Sequence, residues 1–168
     1  MFGPKSLSVY LFYISRIASI AIGLFLMFIL FSFITDNFEL VDNRFEINIP
    51  FTETYIKGFY EVKIITTIAL TLTFYVLFFY FLSIIFKTFK AETLFTIAAI
   101  RQLNNFALYN LIGSPFAFIL IHIFIMKHPN LRDIPTYLLH LLLGVFILFI
   151  VTVFKKGYKV QSENDLTI

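Results

Sequence analysis

The sequence predicts an all-α membrane protein, a four-transmembrane-helix bundle with a small external β-hairpin between helices 1 and 2. Three observations carry this reading. Four runs, Ile17 to Ile34, Ile64 to Phe86, Phe106 to Met126 and Tyr137 to Phe154, contain no Asp, Glu, Lys or Arg. At roughly 1.5 Å per residue, runs of this length cross the ~30 Å hydrocarbon core. The chain is 60% hydrophobic with 24 Phe in 168 residues, more apolar surface than a soluble domain of this size buries. Between the first two runs, apolar and polar residues alternate with the period of a strand. The expected layout is four spans at 12–34, 64–86, 106–126 and 137–154, an external cap at 35–63, a cytoplasmic helix at 88–105 and a cytoplasmic tail at 155–168. Without a repeat or a Pro/Gly/Ser linker, it reads as one domain.

The first span carries Arg16 on its inner flank, where the guanidinium snorkels to the headgroups. The run is longer than a signal-peptide core and no small-x-small pattern follows Ile34, so an uncleaved span is expected. Ser15, Ser19 and Gly23 form a small-residue stripe suited to close helix contact, within the bundle or between copies in a homo-oligomer. In the cap, Phe45, Ile47, Ile49 and Phe51 alternate with Glu46, Asn48 and Pro50. Asp42 and Asn43 suit a turn back to the short 38–41 stretch, and Pro50 ends the hairpin. Such a cap serves as a lid over the bundle mouth or as a ligand-sensing surface. In the second span Thr66, Thr67, Thr71 and Thr73 are expected to bond back to their own helix carbonyls.

The segment from Lys87 to Asn105 reads as a basic amphipathic helix. Ile97, Ile100, Leu103 and Ala107 share one face; Arg101, Asn104 and Asn105 lie on another, and Thr96 is its N-cap. It is a lipid-anchoring elbow or a docking surface. In the third span Tyr109, Asn110, Gly113, Ser114 and Pro115 cluster. Pro115 lacks the N–H that would bond residue 111, which predicts a kink relieved by Asn110 or Ser114 and, in the functional version, a polar pocket at mid-membrane. His122 and His140 each lie about one turn inside the outer end of neighbouring spans. They are weak candidates for a metal, haem or proton-sensing pair, and the expectation is that neither binds a metal.

Lys5, Arg16, Lys87, Lys90, Arg101, Lys155, Lys156 and Lys159 fall on the side of the amino terminus, and Arg44, Lys57, Lys63, Lys127 and Arg132 on the other. This eight-to-five bias predicts both termini in the cytoplasm. Asp36, Glu39, Asp42, Glu46, Glu53 and Glu61 make the cap acidic. The chain has no Cys, which removes disulfides, thiolate zinc sites and thiolate nucleophiles. A Ser/His/Asp pattern, a phosphate-cradling glycine loop and a His-x-x-x-His spacing are all missing, as are the intramembrane acids of proton-coupled transporters. The expectation is a protein without enzymatic activity, cofactor or direct nucleic-acid binding, whose immediate partner is the lipid bilayer.

At the carboxyl end, Val153-Phe154-Lys155-Lys156-Gly157-Tyr158 is followed by Glu163-Asn164-Asp165-Leu166-Thr167-Ile168. With Ile49-Pro50-Phe51, Leu94-Phe95-Thr96 and the four spans, this resembles the bacterial membrane proteins grouped as domain of unknown function 2975. In that family the last span runs into a basic-Gly turn and an acidic-Leu-Thr-aliphatic terminus. The resemblance departs at Ile97, Ala98, Ala99 and Ile100, where such proteins tend to be polar or basic. It implies a protein of the bacterial inner membrane that partners a small cytoplasmic helix-turn-helix regulator as sensor or sequestering anchor. The partner-facing candidates are then Arg101, Glu163, Asp165, Leu166, Thr167 and Ile168, the last three forming a short apolar segment for a sheet edge or groove. Arg16, Tyr109, Asn110 and Ser114 are the intramembrane polar candidates. The competing expectation is a ligand-binding or toxin self-immunity protein acting through the acidic cap.

Overall fold

Helix formation dominates because the apolar runs must satisfy every backbone N–H and C=O internally in lipid. The computed structural model describes residues 6–91, 93–128 and 133–165. Helix α1 (Leu7–Ile34) is followed by strands β1 (Glu39–Val41), β2 (Arg44–Asn48) and β3 (Tyr55–Phe59) and by helix α2 (Val62–Phe89). A continuous helical stretch then runs through α3 (Ile97–Leu108), a π-helical segment (Tyr109–Gly113), α4 (Ser114–Phe118) and a second π-helical segment (Ile119–Ile125), before α5 (Ile134–Asp165). Leu7–Ile34, Val62–Phe89, Ile97–Ile125 and Ile134–Asn164 are each long and apolar enough to cross a membrane. The strands lie at one end of the bundle, here the sheet end; the start of α1, the end of α2, the start of α3 and the end of α5 belong to the far end.

α1 and α2 pack along their lengths through the small-residue stripe. The buried Ser19 hydroxyl donates to the Val76 carbonyl (2.9 Å), and Ser15 is buried beside it. The stripe therefore serves contact within the bundle, where van der Waals fit and interhelical hydrogen bonds replace the hydrophobic effect that lipid cannot supply.

The expected hairpin is present and gains a third strand, in the antiparallel order β1-β2-β3. Asp42 and Asn43 have φ of 48° and 63°, the pair of positive values that a type I′ hairpin turn requires. Phe45 and Ile47 point inward and are fully buried against Ile29 of α1, with Phe33, Ile65, Ile68 and Leu72 around them. Phe45 opposes Gly58 of β3, where a Cβ would come within 2.9 Å of the ring; only glycine leaves room for it. β2 ends at Asn48, short of the expected alternation, and Phe51 lies in the following turn at φ 65°, fully exposed.

At the far end, Ile85, Leu103, Phe106, Val151 and Phe154 form the other core cluster. The expected helix at 88–105 is corrected at its start: α2 continues through Phe89, and α3 begins at Ile97 with the Thr96 hydroxyl accepting from the Ala99 N–H (3.1 Å). That side chain satisfies one of the orphan donors of the first turn. α5 likewise continues helical to Asp165, so the expected basic-Gly turn is not a turn. At 32 residues, α5 is about 48 Å long, roughly 18 Å more than the hydrocarbon core needs.

Candidate functional site

Helix α2 presents two different faces near the sheet end. Ile65, Ile68 and Leu72 pack toward α1 and the sheet, while Thr67, Thr71, Phe74 and Tyr75, at helical spacing i, i+4, i+7 and i+8, line a cavity of about 210 Å³. Ala117, Ile121 and His122 of the third span close a second side of it, and Asp133, Thr136, Tyr137 and His140 at the start of α5 a third. The cavity and the sheet thus occupy different faces of α2.

Two π-helical segments flank Pro115. Their wide turns re-register the third span where proline cannot donate, so the backbone accommodates Pro115 through altered register. Met126 N–H bonds the carbonyl of Ile121 (2.8 Å), five residues back. Asn110 and Ser114 do not serve the carbonyl of residue 111. The fully buried Asn110 donates through Nδ2 to the Phe106 carbonyl (2.8 Å), and the buried Ser114 hydroxyl donates across to the Tyr137 carbonyl of α5 (3.1 Å). The Tyr109 hydroxyl reaches in the other direction and donates to the Phe74 carbonyl of α2 (2.6 Å), with its ring stacked on Phe74 (centroids 5.1 Å). This polar cluster ties the third span to both neighbours.

His122 and His140 line the same cavity, and each takes a partner of its own. His140 Nδ1 lies 2.9 Å from Asn110 Oδ1. Because the Asn110 amide nitrogen is committed to a carbonyl, its oxygen can only accept, so His140 Nδ1 carries the proton and donates. Phe74 and Phe78 meet the His140 ring edge to face (5.0 and 5.1 Å). Buried His122 lies between Phe118 and Tyr137, with Nε2 3.7 Å from Asp133 Oδ2. Among the described residues no group of three or more His, Asp and Glu is arranged to hold a metal ion.

The threonines of α2 divide. Thr73 bonds back to the Ala69 carbonyl as expected (2.8 Å). Thr67 does not: among the described residues its hydroxyl is the buried side-chain polar atom without a hydrogen-bond partner, and it lines the cavity. Sequence reasoning missed Thr67, Thr71, Tyr75 and Tyr137 as a site. The common face of Thr67, Thr71 and Tyr75 was legible in the i, i+4 and i+8 spacing of α2, whereas Tyr137 joins them from α5.

Arg16 stacks its guanidinium on the Tyr80 ring of α2 (4.8 Å), and Lys90 stands 4.4 Å from the Phe12 ring centroid; both are cation–π contacts. Arg101 is exposed on α3. Glu163 pairs with Lys159 one turn earlier (3.7 Å), and Asp165 is the last residue of α5. Leu166, Thr167 and Ile168 lie outside the described residues. Beside the extension of α5, Phe95, Val153, Lys156, Gly157, Val160, Gln161 and Asn164 line a shallow groove of about 590 Å³. A Cβ on Gly157 would come within 2.7 Å of the Phe95 ring; the glycine is there to admit that ring against the helix. Leu94-Phe95-Thr96 and Lys155-Lys156-Gly157 thus meet in space.

Four apolar helices with a small sheet at one end define a multi-pass helical membrane protein. The family model described as "Protein of unknown function (DUF2975)" matches residues 48–168, and the chain belongs to that family. Neither curated proteins nor solved structures give a match. Every residue lining the cavity and the groove falls inside the matched stretch.

Proposed function

We propose that the chain is a non-enzymatic protein of the bacterial inner membrane that holds a small cytoplasmic helix-turn-helix regulator at its far end, as a sensor or sequestering anchor. The observation that carries this reading is the groove formed where α5 leaves the apolar part of the bundle and Phe95 packs on Gly157. The groove has apolar walls at Phe95, Val153 and Val160 and polar edges at Lys156, Gln161 and Asn164, the pattern suited to an apolar anchor with a polar rim. On this reading the far end is cytoplasmic, which the eight-to-five distribution of Lys and Arg supports.

The alternative, capture of an external ligand or toxin by the cap, is less well supported. The inward side chains Phe45 and Ile47 are spent on packing, and the cavity between Asp36, Glu39 and Glu46 measures only about 140 Å³.

The test is co-purification of the full chain with a small helix-turn-helix protein from the neighbouring gene. Val160→Glu in the groove, or removal of Leu166 to Ile168, is expected to abolish the association while membrane insertion persists. Charge reversal at Asp36 and Glu39 is expected to leave it unchanged. The opposite pattern would replace the regulator reading with the cap reading.

A further inference from the structure

An arginine at membrane depth is costly unless its N–H groups find acceptors. The charge-free run after Arg16, Ile17 to Ile34, holds 18 residues and is about 27 Å long. With the sheet end of α1 at one membrane face, Arg16 stands close to the opposite edge of the ~30 Å hydrocarbon core, at the depth of glycerol and phosphate groups. Its side chain is partly buried, with the guanidinium over the Tyr80 ring (4.8 Å). The ring attracts the charge but supplies no carboxylate or carbonyl oxygen. Among the described residues no carboxylate pairs with Arg16: α1 and α2 contain no Asp or Glu, and the ion pairs are Lys63–Glu61, His122–Asp133 and Lys159–Glu163.

A second cation is held on the same seam. Lys90, the C-cap of α2, places its ammonium 4.4 Å from the Phe12 ring centroid and 5.2 Å from that of Tyr13, and it too is outside those ion pairs. Phe12 and Arg16 lie one turn apart on one face of α1. The two cations therefore line one seam between α1 and α2, Arg16 nearer the core and Lys90 nearer the helix end. Aromatic rings position both, so neither positive charge is cancelled. In the direction of the core, Ile20 and Leu24 continue the Arg16 face at i+4 and i+8, and both are exposed.

We infer that this seam binds one anionic phospholipid. Its phosphate oxygens accept from the Arg16 guanidinium, whose planar fork matches phosphate; the rest of its headgroup lies against Lys90, and an acyl chain runs along Ile20 and Leu24. Inorganic phosphate has the oxygens but nothing to cover that apolar strip. The ammonium of Lys90 favours a headgroup that carries net negative charge over a zwitterionic one. The assignment uses α1 and α2 alone and does not depend on the regulator proposed for the far end.

Native mass spectrometry of the full chain released from detergent micelles tests it, by counting bound lipids during titration with phosphatidylglycerol or with phosphatidylethanolamine of the same acyl chains. The expected result is one saturable phosphatidylglycerol, bound at least about tenfold more tightly than phosphatidylethanolamine and retained in millimolar inorganic phosphate. Arg16→Gln is expected to weaken phosphatidylglycerol by about tenfold and Lys90→Gln several-fold, as loss of a charge-assisted contact implies. Lys155→Gln removes an exposed charge from α5 and is expected to leave binding unchanged, which separates the seam from general attraction between basic residues and anionic lipid. Should Arg16→Gln unsettle the α1–α2 contact, Lys90→Gln at the helix end gives an independent reading, with thermal melting by circular dichroism expected to stay at the level of the unsubstituted chain. Equal binding of the two lipids, full displacement by inorganic phosphate, or equal weakening by Lys155→Gln and the seam variants would each overturn the assignment.

Discussion

Gly144 on α5 is the place where the packing of the bundle can be tested by adding one carbon. A Cβ there would lie 2.7 Å from Leu111 Cγ, 3.0 Å from Leu111 Cδ2 and 3.1 Å from the Ala107 carbonyl oxygen. Neither Leu111 Cγ nor a backbone carbonyl can swing aside as the tip of a flexible side chain would, so Gly144→Ala must push α5 away from the third span. Overpacking of this kind costs about 1 to 3 kcal/mol, and the geometry argues for the upper half of that range. Against it stands the helix-propensity gain of alanine over glycine, about 1 kcal/mol. The expected net loss is therefore about 1 to 2 kcal/mol. Gly23→Ala on α1 is the matched control, because its Cβ would meet only Val76 Cγ2 at 3.9 Å, an ordinary contact. It should be neutral or stabilising by up to about 1 kcal/mol. Reversible unfolding by sodium dodecyl sulfate from mixed micelles, followed by circular dichroism, measures both variants on one scale. Gly144→Ala as stable as Gly23→Ala would refute the close approach of α5 to the third span.

The Asn110–His140 hydrogen bond should behave as a coupled buried pair. Asn110→Leu or His140→Leu alone strands the other partner at a cost of about 1 to 3 kcal/mol, and in the same unfolding assay the double variant should cost clearly less than the two losses added. Phe45→Ala empties the centre of the sheet–helix contact and should destabilise by about 3 kcal/mol or more. Limited proteolysis should then cut between β1 and β3 at a faster rate while the spans stay protected.

Features encoded by neighbouring residues were legible in the sequence. The four apolar runs, the Asp42-Asn43 turn and the Thr96 cap each depend on residues within a few positions, and the structure has all three. β3 escaped because its inward positions are Ile56 and Gly58; a glycine chosen to admit the Phe45 ring erases the alternation that reveals a strand. Gly157 misled for a similar reason. Beside two lysines it reads as a turn, whereas its purpose is set by Phe95, remote in sequence and adjacent in space. The polar cluster of the third span was visible, but not its partners: Asn110 to His140, Ser114 to Tyr137 and Tyr109 to Phe74 are tertiary choices. The cavity was invisible for the same cause, since three separate elements build it and its unpartnered Thr67 hydroxyl breaks the usual rule for threonines in helices.

The proposed function requires that the sheet end, with its cavity, face outward and the far end, with its groove, face the cytoplasm. Topology reporters measure this division directly: one fused after Ile168, the other inserted at the Asp42-Asn43 turn. The account predicts that the reporter after Ile168 is active only as a cytoplasmic protein and that the one in the turn is active only outside, as the sidedness of Lys and Arg requires. An externally active reporter at the carboxyl end would contradict it, since the groove and tail would then face away from any cytoplasmic regulator.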